Sequence, residues 1–294
     1  MLTFKIEIMK EGLLKVAIIV ILFFNSSCKK IVDISAPETL LSQSNIFENS
    51  DLAISAITGV YAQMASIQGN QSISGVCGLS SDELISHADG NLKEFAENQI
   101  DPINSSNNNI YLGLYNNIYR VNVILEGLNT SSNVPSSLKS QIIGEALFLR
   151  AFSYFYLVNL YGAVPLNLVS DYRVTRIAPR TEPTRVYQQI LADLKESETL
   201  LTDQYASSGR VRPNLKTVQA LLARVYLYTM DWTNAEKYAS LIIEKNDTYV
   251  LDNLDRVFLG TSREAIWQIF PPTNSTAREG TFFIPASLTA PPLE

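Results

Sequence analysis

The chain has 294 residues, of which 46% are hydrophobic and 18% charged, a composition typical of a folded globular protein. Its formal net charge is −6, and no cluster of Lys and Arg interleaved with aromatic residues follows residue 30, so nucleic-acid binding is not expected. The two cysteines, Cys28 and Cys77, are too few for a zinc ribbon, an iron–sulfur framework or a disulfide scaffold.

The first residues have the pattern of an export signal. An apolar run over residues 16–24 follows Lys10 and Lys15 and ends in small polar residues before Cys28. This run is too short to cross a bilayer as a helix, which takes roughly 20 residues. The block before Cys28 resembles a lipoprotein signal box, which predicts a signal peptide over 1–27 and a lipid on Cys28. The alternative is an ordinary signal peptide cut elsewhere, with Cys28 left as a free thiol.

A polar segment and then a helix follow the signal. Residues 28–48 lack hydrophobic periodicity and contain Pro37, so we expect a lipidated tether. Asn49 or Ser50 then caps a helix whose apolar stripe has a 3.6-residue period. The stripe consists of Ala53, Ala56, Ile57, Val60, Tyr61 and Met64.

Residues 66–108 are predicted to form a long irregular excursion, because they are rich in glycine and asparagine and show little period. Sugar recognition needs amides, carboxylates or Arg beside aromatic faces. The excursion supplies the polar groups, whereas Phe95 is its one aromatic residue. The candidate ligand-binding residues are Asn70, Asp82, His87, Asp89 and Asn91. The alternative interpretation is a solvated loop.

Two longer helices are predicted over 109–128 and 136–161, and the second is apolar over most of its circumference. We therefore expect the second helix to be central in the fold. Arg150 would lie near the core and need a partner, either Glu145 or an acidic residue elsewhere. A linker over 166–180 follows, and Thr181 or Thr184 starts the next helix.

The pair of helices predicted over 215–229 and 231–245 has the spacing of a tetratricopeptide unit. Small residues at three of the matching positions allow two antiparallel helices to approach closely. The matching residues are Leu222, Ala223, Tyr226, Ala235, Ala239 and Ile242. The predicted fold is mainly α, with tetratricopeptide-like helical hairpins, long loop insertions and a few short strands near the C-terminus.

After residue 250 the sequence changes to short segments. Residues 265–270 are predicted to be a strand or an extended loop. Trp232 follows a helix cap and Trp267 lies in an apolar segment, so packing is the expected role of both. We expect four parts: the signal peptide 1–27, the tether 28–48, a helical domain 49–250, and the start of an incomplete C-terminal region 251–294 in a truncated protein.

The helix containing Arg150 resembles the hallmark of the SusD/RagB family, with Glu-Ala-x-x-Leu-Arg-Ala from Glu145 followed by Tyr-Gly-x-Val-Pro-Leu from Tyr161. Further matches begin at Arg180 and Ala220, so the resemblance covers roughly residues 20–270. It implies a tetratricopeptide-based lipoprotein, anchored and surface-exposed at the outer membrane. Such a protein caps a TonB-dependent, SusC-like transporter and delivers oligosaccharides or other nutrients to it. The family shares no fixed sugar-contacting positions that would add candidates.

The main alternative is a tetratricopeptide scaffold of the envelope that binds only protein partners. An enzyme is not expected, because His87 is the one histidine and neither Gly-x-Ser-x-Gly nor His-Glu-x-x-His occurs. A glycosidase with paired carboxylates stays open from the sequence. No cofactor is expected, and the spacing of Asp82, Asp89 and Asn91 matches no calcium loop.

Overall fold

The computed structural model describes residues 46–65, 72–86 and 89–269. Several predictions fall outside these ranges: the signal peptide, most of the tether with Cys28, and the candidate residues Asn70 and His87. Residues 270–294 of the predicted C-terminal region are also outside the described residues.

The described residues are mostly helical, which confirms the predicted fold class. Two-residue strands pair antiparallel between the fifth and seventh helices, Val164 opposite Thr181 and Pro165 opposite Arg180. In the described part of the predicted C-terminal region, residues 251–269, no strand occurs, and residues 265–269 have no regular secondary structure. In chain order the elements are α1 Ser50–Met64, α2 Ile73–Ser80, α3 Asn91–Ala96, α4 Ser105–Thr130, α5 Ser136–Tyr161, β1 Val164–Pro165, α6 Tyr172–Thr175, β2 Arg180–Thr181, α7 Pro183–Leu200, a 3-10 turn Ser208–Arg210, α8 Leu215–Tyr228 and α9 Trp232–Ile243.

Helix α5 is the centre of the core, as its apolar circumference predicts. It contacts α1, α4, α7 and α8, and Phe148, Tyr154 and Phe155 are among the largest buried side chains. Full burial of one such side chain stabilises the fold by roughly 1.5–3 kcal/mol. Because α5 is covered on so many sides, it fixes the relative positions of the helices around it.

Arg150 is buried and paired as predicted, but its partner is Asp193 of α7 rather than Glu145. Its Nε and Nη2 donate to the two carboxylate oxygens of Asp193 at 2.8 and 2.7 Å. Its Nη1 donates to Asn122 Oδ1 of α4 at 2.9 Å. Burial alone would lower the pKa of Arg150, but the hydrogen bonds and charge of Asp193 raise it above its usual value. One guanidinium thus joins α4, α5 and α7.

Glu145, one turn earlier on α5, is fully buried and belongs to a second network. Arg212, which precedes α8, donates to its two oxygens at 2.9 and 2.6 Å. Tyr61 of α1 and Gln141 of α5 donate to the same carboxylate. Burial, together with the charge of Glu145, raises the pKa of Tyr61 well above its usual value. This network joins α1 and the segment before α8 to the central helix.

Several predicted boundaries were wrong because of local caps. Helix α4 begins at residue 105 rather than 109, since Asn104 Oδ1 accepts hydrogen bonds from the backbone N–H groups of Ser106 and Asn107. The excursion contains α2 and α3, and the predicted linker contains α6. Helix α7 begins at Pro183, whose fixed φ suits the first turn of a helix.

The hairpin α8–α9 matches the predicted tetratricopeptide-like unit. Leu222 is fully buried, and the rings of Tyr226 and Tyr238 stack at 5.6 Å between centroids. Asp231 caps α9 through Asn234 N–H, as predicted. Trp267 packs edge-on against Phe148 and Phe152, which confirms its packing role.

Trp232 was also predicted to pack, and this prediction was wrong, since the side chain is 61% exposed. It is the first residue of α9, where the chain has just reversed direction and the side chain projects outward. Within the described ranges, no helix combines the length and apolar character needed to cross a bilayer.

Candidate functional site

A cleft of about 240 Å³ opens between the excursion and the ends of the two long helices. We call it the α2–α5 cleft, because α2, α3, α4 and α5 all contribute to its walls. Ile100 and Leu160 are partly exposed at its rim, whereas Phe95 and Ile110 are buried. Its lining residues are Val76, Cys77, Ser80, Phe95, Ile100, Asn107, Ile110, Asn159, Leu160 and Tyr161.

Hydrogen bonds from Asn104 hold the excursion side of the cleft in place. While its Oδ1 caps α4, its Nδ2 donates to Asn91 O of α3 at 2.9 Å and to Glu94 Oε2 at 2.7 Å. Ser80 of α2 donates to Phe95 O at 3.2 Å, so α2 and α3 are also joined to each other. The short helices α2 and α3 can form this wall because these side-chain hydrogen bonds join them to each other and to the start of α4.

The polar groups of the cleft come from the facing ends of α4 and α5. Tyr161 donates through its hydroxyl to Asn107, whose Oδ1 is 3.0 Å away. Asn159 Nδ2 donates to Phe155 O, and its Oδ1 accepts from the Tyr187 hydroxyl at 2.9 Å. Asn107 Nδ2 makes no hydrogen bond to any described residue, so it is available to a ligand.

None of the described residues that line the cleft carries a formal charge. Burial, with the nearby Tyr111, raises the pKa of Tyr161 to about 12, so its hydroxyl stays neutral at physiological pH. Burial also raises the pKa of the Cys77 thiol, which makes it a weak nucleophile at neutral pH. The cleft therefore offers hydrogen bonds and apolar surface rather than charge or an activated nucleophile.

The candidate residues that the structure describes do not line this cleft. Asp82 is exposed in the turn after α2, with φ of 62°. Asp89 is an exposed partner of Lys93 at 3.1 Å. Asn91 donates to Ser105 Oγ at 2.6 Å and so ties α3 to the start of α4. Asp89 and Asn91 lie close together at the start of α3, but their observed partners serve the local structure.

Sequence reasoning missed Asn159 and Tyr161 because they lie at the end of a long helix outside the excursion, and it passed over Asn107, which falls within the predicted excursion but belongs to α4 in the structure. Tyr161 was visible as the start of the Tyr-Gly-x-Val-Pro-Leu element, and Asn107 as part of an asparagine-rich run. Neither signal shows that the start of α4 and the end of α5 face each other. That proximity follows from their antiparallel packing.

A second cavity of about 240 Å³ lies where the described chain begins, lined mainly by Phe47 and by residues at the end of α4. The Phe47 ring rests on Gly127, where a Cβ atom would lie only 2.0 Å from it. Ser131 Oγ donates to Phe47 O. This contact fastens the start of the helical body to α4. Among the described residues, no group of His, Cys, Asp and Glu is arranged to hold a metal ion.

Comparison with known proteins identifies the family. Residues 32–227, about two thirds of the chain, match a SusD-like family described as starch-binding and associating with the outer membrane. The chain belongs to this family. Membership supports the outer membrane as the general location.

Curated relatives agree with this assignment. SusD-like protein P25 of Formosa agariphila is 22% identical over 272 residues, covering 85% of this chain and 50% of the relative. A SusD-like protein of Bacteroides ovatus is 26% identical over 267 residues, covering 85% of this chain and 47% of the relative. The chain thus spans about half the length of the curated relatives it matches.

Solved structures share the fold. A SusD-like carbohydrate binding protein from Bacteroides fragilis superposes with a TM-score of 0.66 at 20% identity, covering 76% of this chain and 46% of that chain. A laminarin binding SusD-like protein superposes with a TM-score of 0.59 at 25% identity, covering 70% of this chain and 45% of that chain.

Proposed function

We propose that this chain is the helical part of a cell-envelope protein that binds neutral oligosaccharides, without catalysis, in the α2–α5 cleft. The observation that carries the proposal is the family match over residues 32–227, since the family is described as starch-binding. A structural neighbour that binds laminarin supports the same class of ligand.

The lining of the cleft favours a neutral glycan over an acidic one. Burying a carboxylate or sulfate without a cationic partner is costly, and the described lining of the cleft includes no Lys or Arg. Its volume of about 240 Å³ is below that of sites that enclose drug-sized ligands, about 300–1,000 Å³. We therefore expect it to hold one sugar ring of a longer chain.

Calorimetric titration with neutral and acidic polysaccharides and oligosaccharides tests this proposal. We expect binding to neutral glycans, with affinity reduced about three- to tenfold by Asn107→Ala, because one hydrogen bond to the ligand is lost. The matched control is Asn109→Ala, an exposed position of the same helix outside the cleft. Binding to acidic glycans alone would contradict the neutral class.

A thiol-protection experiment locates the site independently. In a Cys28→Ser chain, Cys77 is the only thiol, and it is exposed at the cleft. We expect a bound glycan to slow its alkylation by N-ethylmaleimide at mildly alkaline pH. If calorimetry shows binding while the alkylation rate is unchanged at saturation, the glycan binds elsewhere on the chain.

The proposal includes anchoring by a lipid on Cys28, with 1–27 as signal peptide, 28–48 as tether, 49–250 as helical domain and 251–294 as the start of a further region. Two or more acyl chains on one residue give firm membrane attachment. Cys28→Ala should release the protein into the soluble fraction and stop acyl labelling. Unchanged membrane retention of this variant would refute the anchor.

We further propose that the protein is surface-exposed and passes its ligand to a SusC-like, TonB-dependent transporter. The family's association with the outer membrane supports this partner. Affinity purification of the lipidated protein from solubilised outer membranes should recover the transporter. Recovery of other envelope proteins, together with no calorimetric binding to any of the polysaccharides and oligosaccharides, would favour the scaffold alternative.

A further inference from the structure

The segment between β1 and β2, residues 166–179, projects from the helical body, and we call it the α6 finger. It is firmly attached at its base. Asn122 Nδ2 donates to the backbone carbonyls of Asn167 and Val169 at 3.0 and 3.2 Å. Ser170 donates through both its N–H and its hydroxyl to Glu126 of α4. The finger is therefore an ordered part of the fold.

Despite this attachment, the tip of the finger exposes large apolar side chains. Tyr172 is 70% exposed, Val174 54% and Ile177 72%. Tyr172 and Val174 are two positions apart on a helical turn, so they point about 200° apart around its axis. A flat partner surface would cover one of them and leave the other in water. The partner must surround the turn.

The charges of the finger favour an anionic partner. Asp171 caps α6 and pairs with Arg173 at 2.6 Å, so it is neutralised within the finger. Arg176 and Arg180 form no ion pair with any described residue, which leaves one cation beside the apolar tip and a second at the base of the finger, in β2. The full chain has the opposite net charge, −6, so this positive region is a local feature.

The position of the finger on α4 further indicates that its partner is the membrane. Ser170 is held by Glu126, and the next residue, Gly127, lies against Phe47, where the described chain begins. Cys28, the proposed lipid site, is nineteen positions before Phe47. A fully extended chain of that length reaches at most about 65 Å. The finger thus lies near the point where the tether would join the body.

From these observations we propose that the α6 finger inserts its apolar tip into an anionic lipid headgroup layer. Tyr172, Val174 and Ile177 enter the interface, Arg176 pairs with a lipid phosphate, and Arg180 at the base of the finger adds positive charge. A fluid headgroup layer surrounds a protruding turn, and apolar burial combined with basic residues is the usual basis of such contacts. The contact would orient the body on the membrane and does not depend on the glycan site.

Sedimentation with lipid vesicles tests the proposal on a chain that starts at residue 28 and carries Cys28→Ser, so that no lipid is attached. We expect binding to phosphatidylcholine vesicles that contain phosphatidylglycerol. Tyr172→Ser combined with Ile177→Ser should weaken it by about tenfold or more. Arg176→Gln should weaken it less and reduce its dependence on salt.

The matched control is Trp232→Ser, since Trp232 is similarly exposed but lies at the α8–α9 turn. It should leave vesicle binding unchanged. The proposal is overturned if the lipid-free chain does not bind anionic vesicles, if the double variant binds as well as the parent chain, or if phosphatidylglycerol makes no difference. Vesicle binding by the lipid-free chain that the double variant weakens supports the finger whether or not the lipid anchor is confirmed.

Discussion

The helical body and the excursion wall of the α2–α5 cleft are held together by different interactions. In the body, buried ion pairs join long helices, with Arg150 bound to Asp193 and Arg212 to Glu145. In the wall, two short helices are joined to each other and to α4 mainly by neutral hydrogen bonds around Asn104. Each buried Arg of these two pairs is bound to one carboxylate, whereas the described lining residues of the cleft carry no charge.

This difference indicates that the helical body is the rigid part of the chain and that the excursion wall can adjust to a ligand. A buried bidentate pair with further hydrogen bonds holds helices in one geometry, because any displacement leaves a charge unpaired in a place that water does not reach. Neutral hydrogen bonds cost less to rearrange. We expect the wall to adjust to a ligand while the body keeps its shape.

The largest expected effect is in the body. Asp193→Ala leaves Arg150 buried without its carboxylate, and we expect a loss of about 3–5 kcal/mol in the free energy of unfolding. Urea denaturation measures it. The control is Arg173→Ala, which breaks the exposed pair with Asp171 but keeps the Asp171 cap on the backbone N–H of residue 173, and it should leave stability unchanged within error. If the free energy of unfolding fell equally in the two variants, the buried and exposed pairs would not differ in their contribution to stability.

A pair of glycine substitutions compares the two regions directly. Gly127→Ala places a Cβ 2.0 Å from the Phe47 ring, and we expect a loss of about 1–3 kcal/mol from overpacking. Gly78→Ala in the wall meets the end of the flexible Leu84 side chain at 2.8 Å, and the gain in helix propensity offsets this strain. Its stability should stay within about 1 kcal/mol of the parent chain. A larger loss for Gly78→Ala than for Gly127→Ala would show the wall to be the more rigid region.

The smallest expected effect is a pH dependence at the cleft. The pKa of Tyr161 is raised to about 12 in the folded chain, whereas an unfolded tyrosine titrates near 10. Its contribution to stability is therefore complete below about pH 10 and is lost as pH rises towards 12. Tyr161→Phe should make the free energy of unfolding fall less steeply over this interval.

Urea denaturation of the two proteins at several alkaline pH values measures this slope. The control is Tyr119→Phe at an exposed position of α4, which should retain the slope of the parent chain. If Tyr161→Phe also retains it, the Tyr161 hydroxyl does not contribute to the alkaline loss of stability.

The sequence by itself determined most of the helices, since their apolar stripes are local patterns with a 3.6-residue period. It also placed Arg150 in the core and identified the tetratricopeptide-like hairpin by its small residues. Within the candidate site it indicated the excursion as a candidate ligand-binding segment, with a solvated loop as the alternative, and Phe95 as its one aromatic residue. Asp82, Asp89 and Asn91 were chosen there by residue type, which does not reveal whether a side chain faces a cleft or a cap.

Only the tertiary structure decided which groups meet. Asp193 rather than Glu145 pairs with Arg150, because α7 packs along α5 and brings its carboxylate across from the guanidinium. Tyr161 meets Asn107 across the antiparallel helices, and Trp232 is exposed because the hairpin turns it outward. Helix periodicity is a property of neighbouring residues, whereas a cleft or an ion pair depends on how distant segments pack.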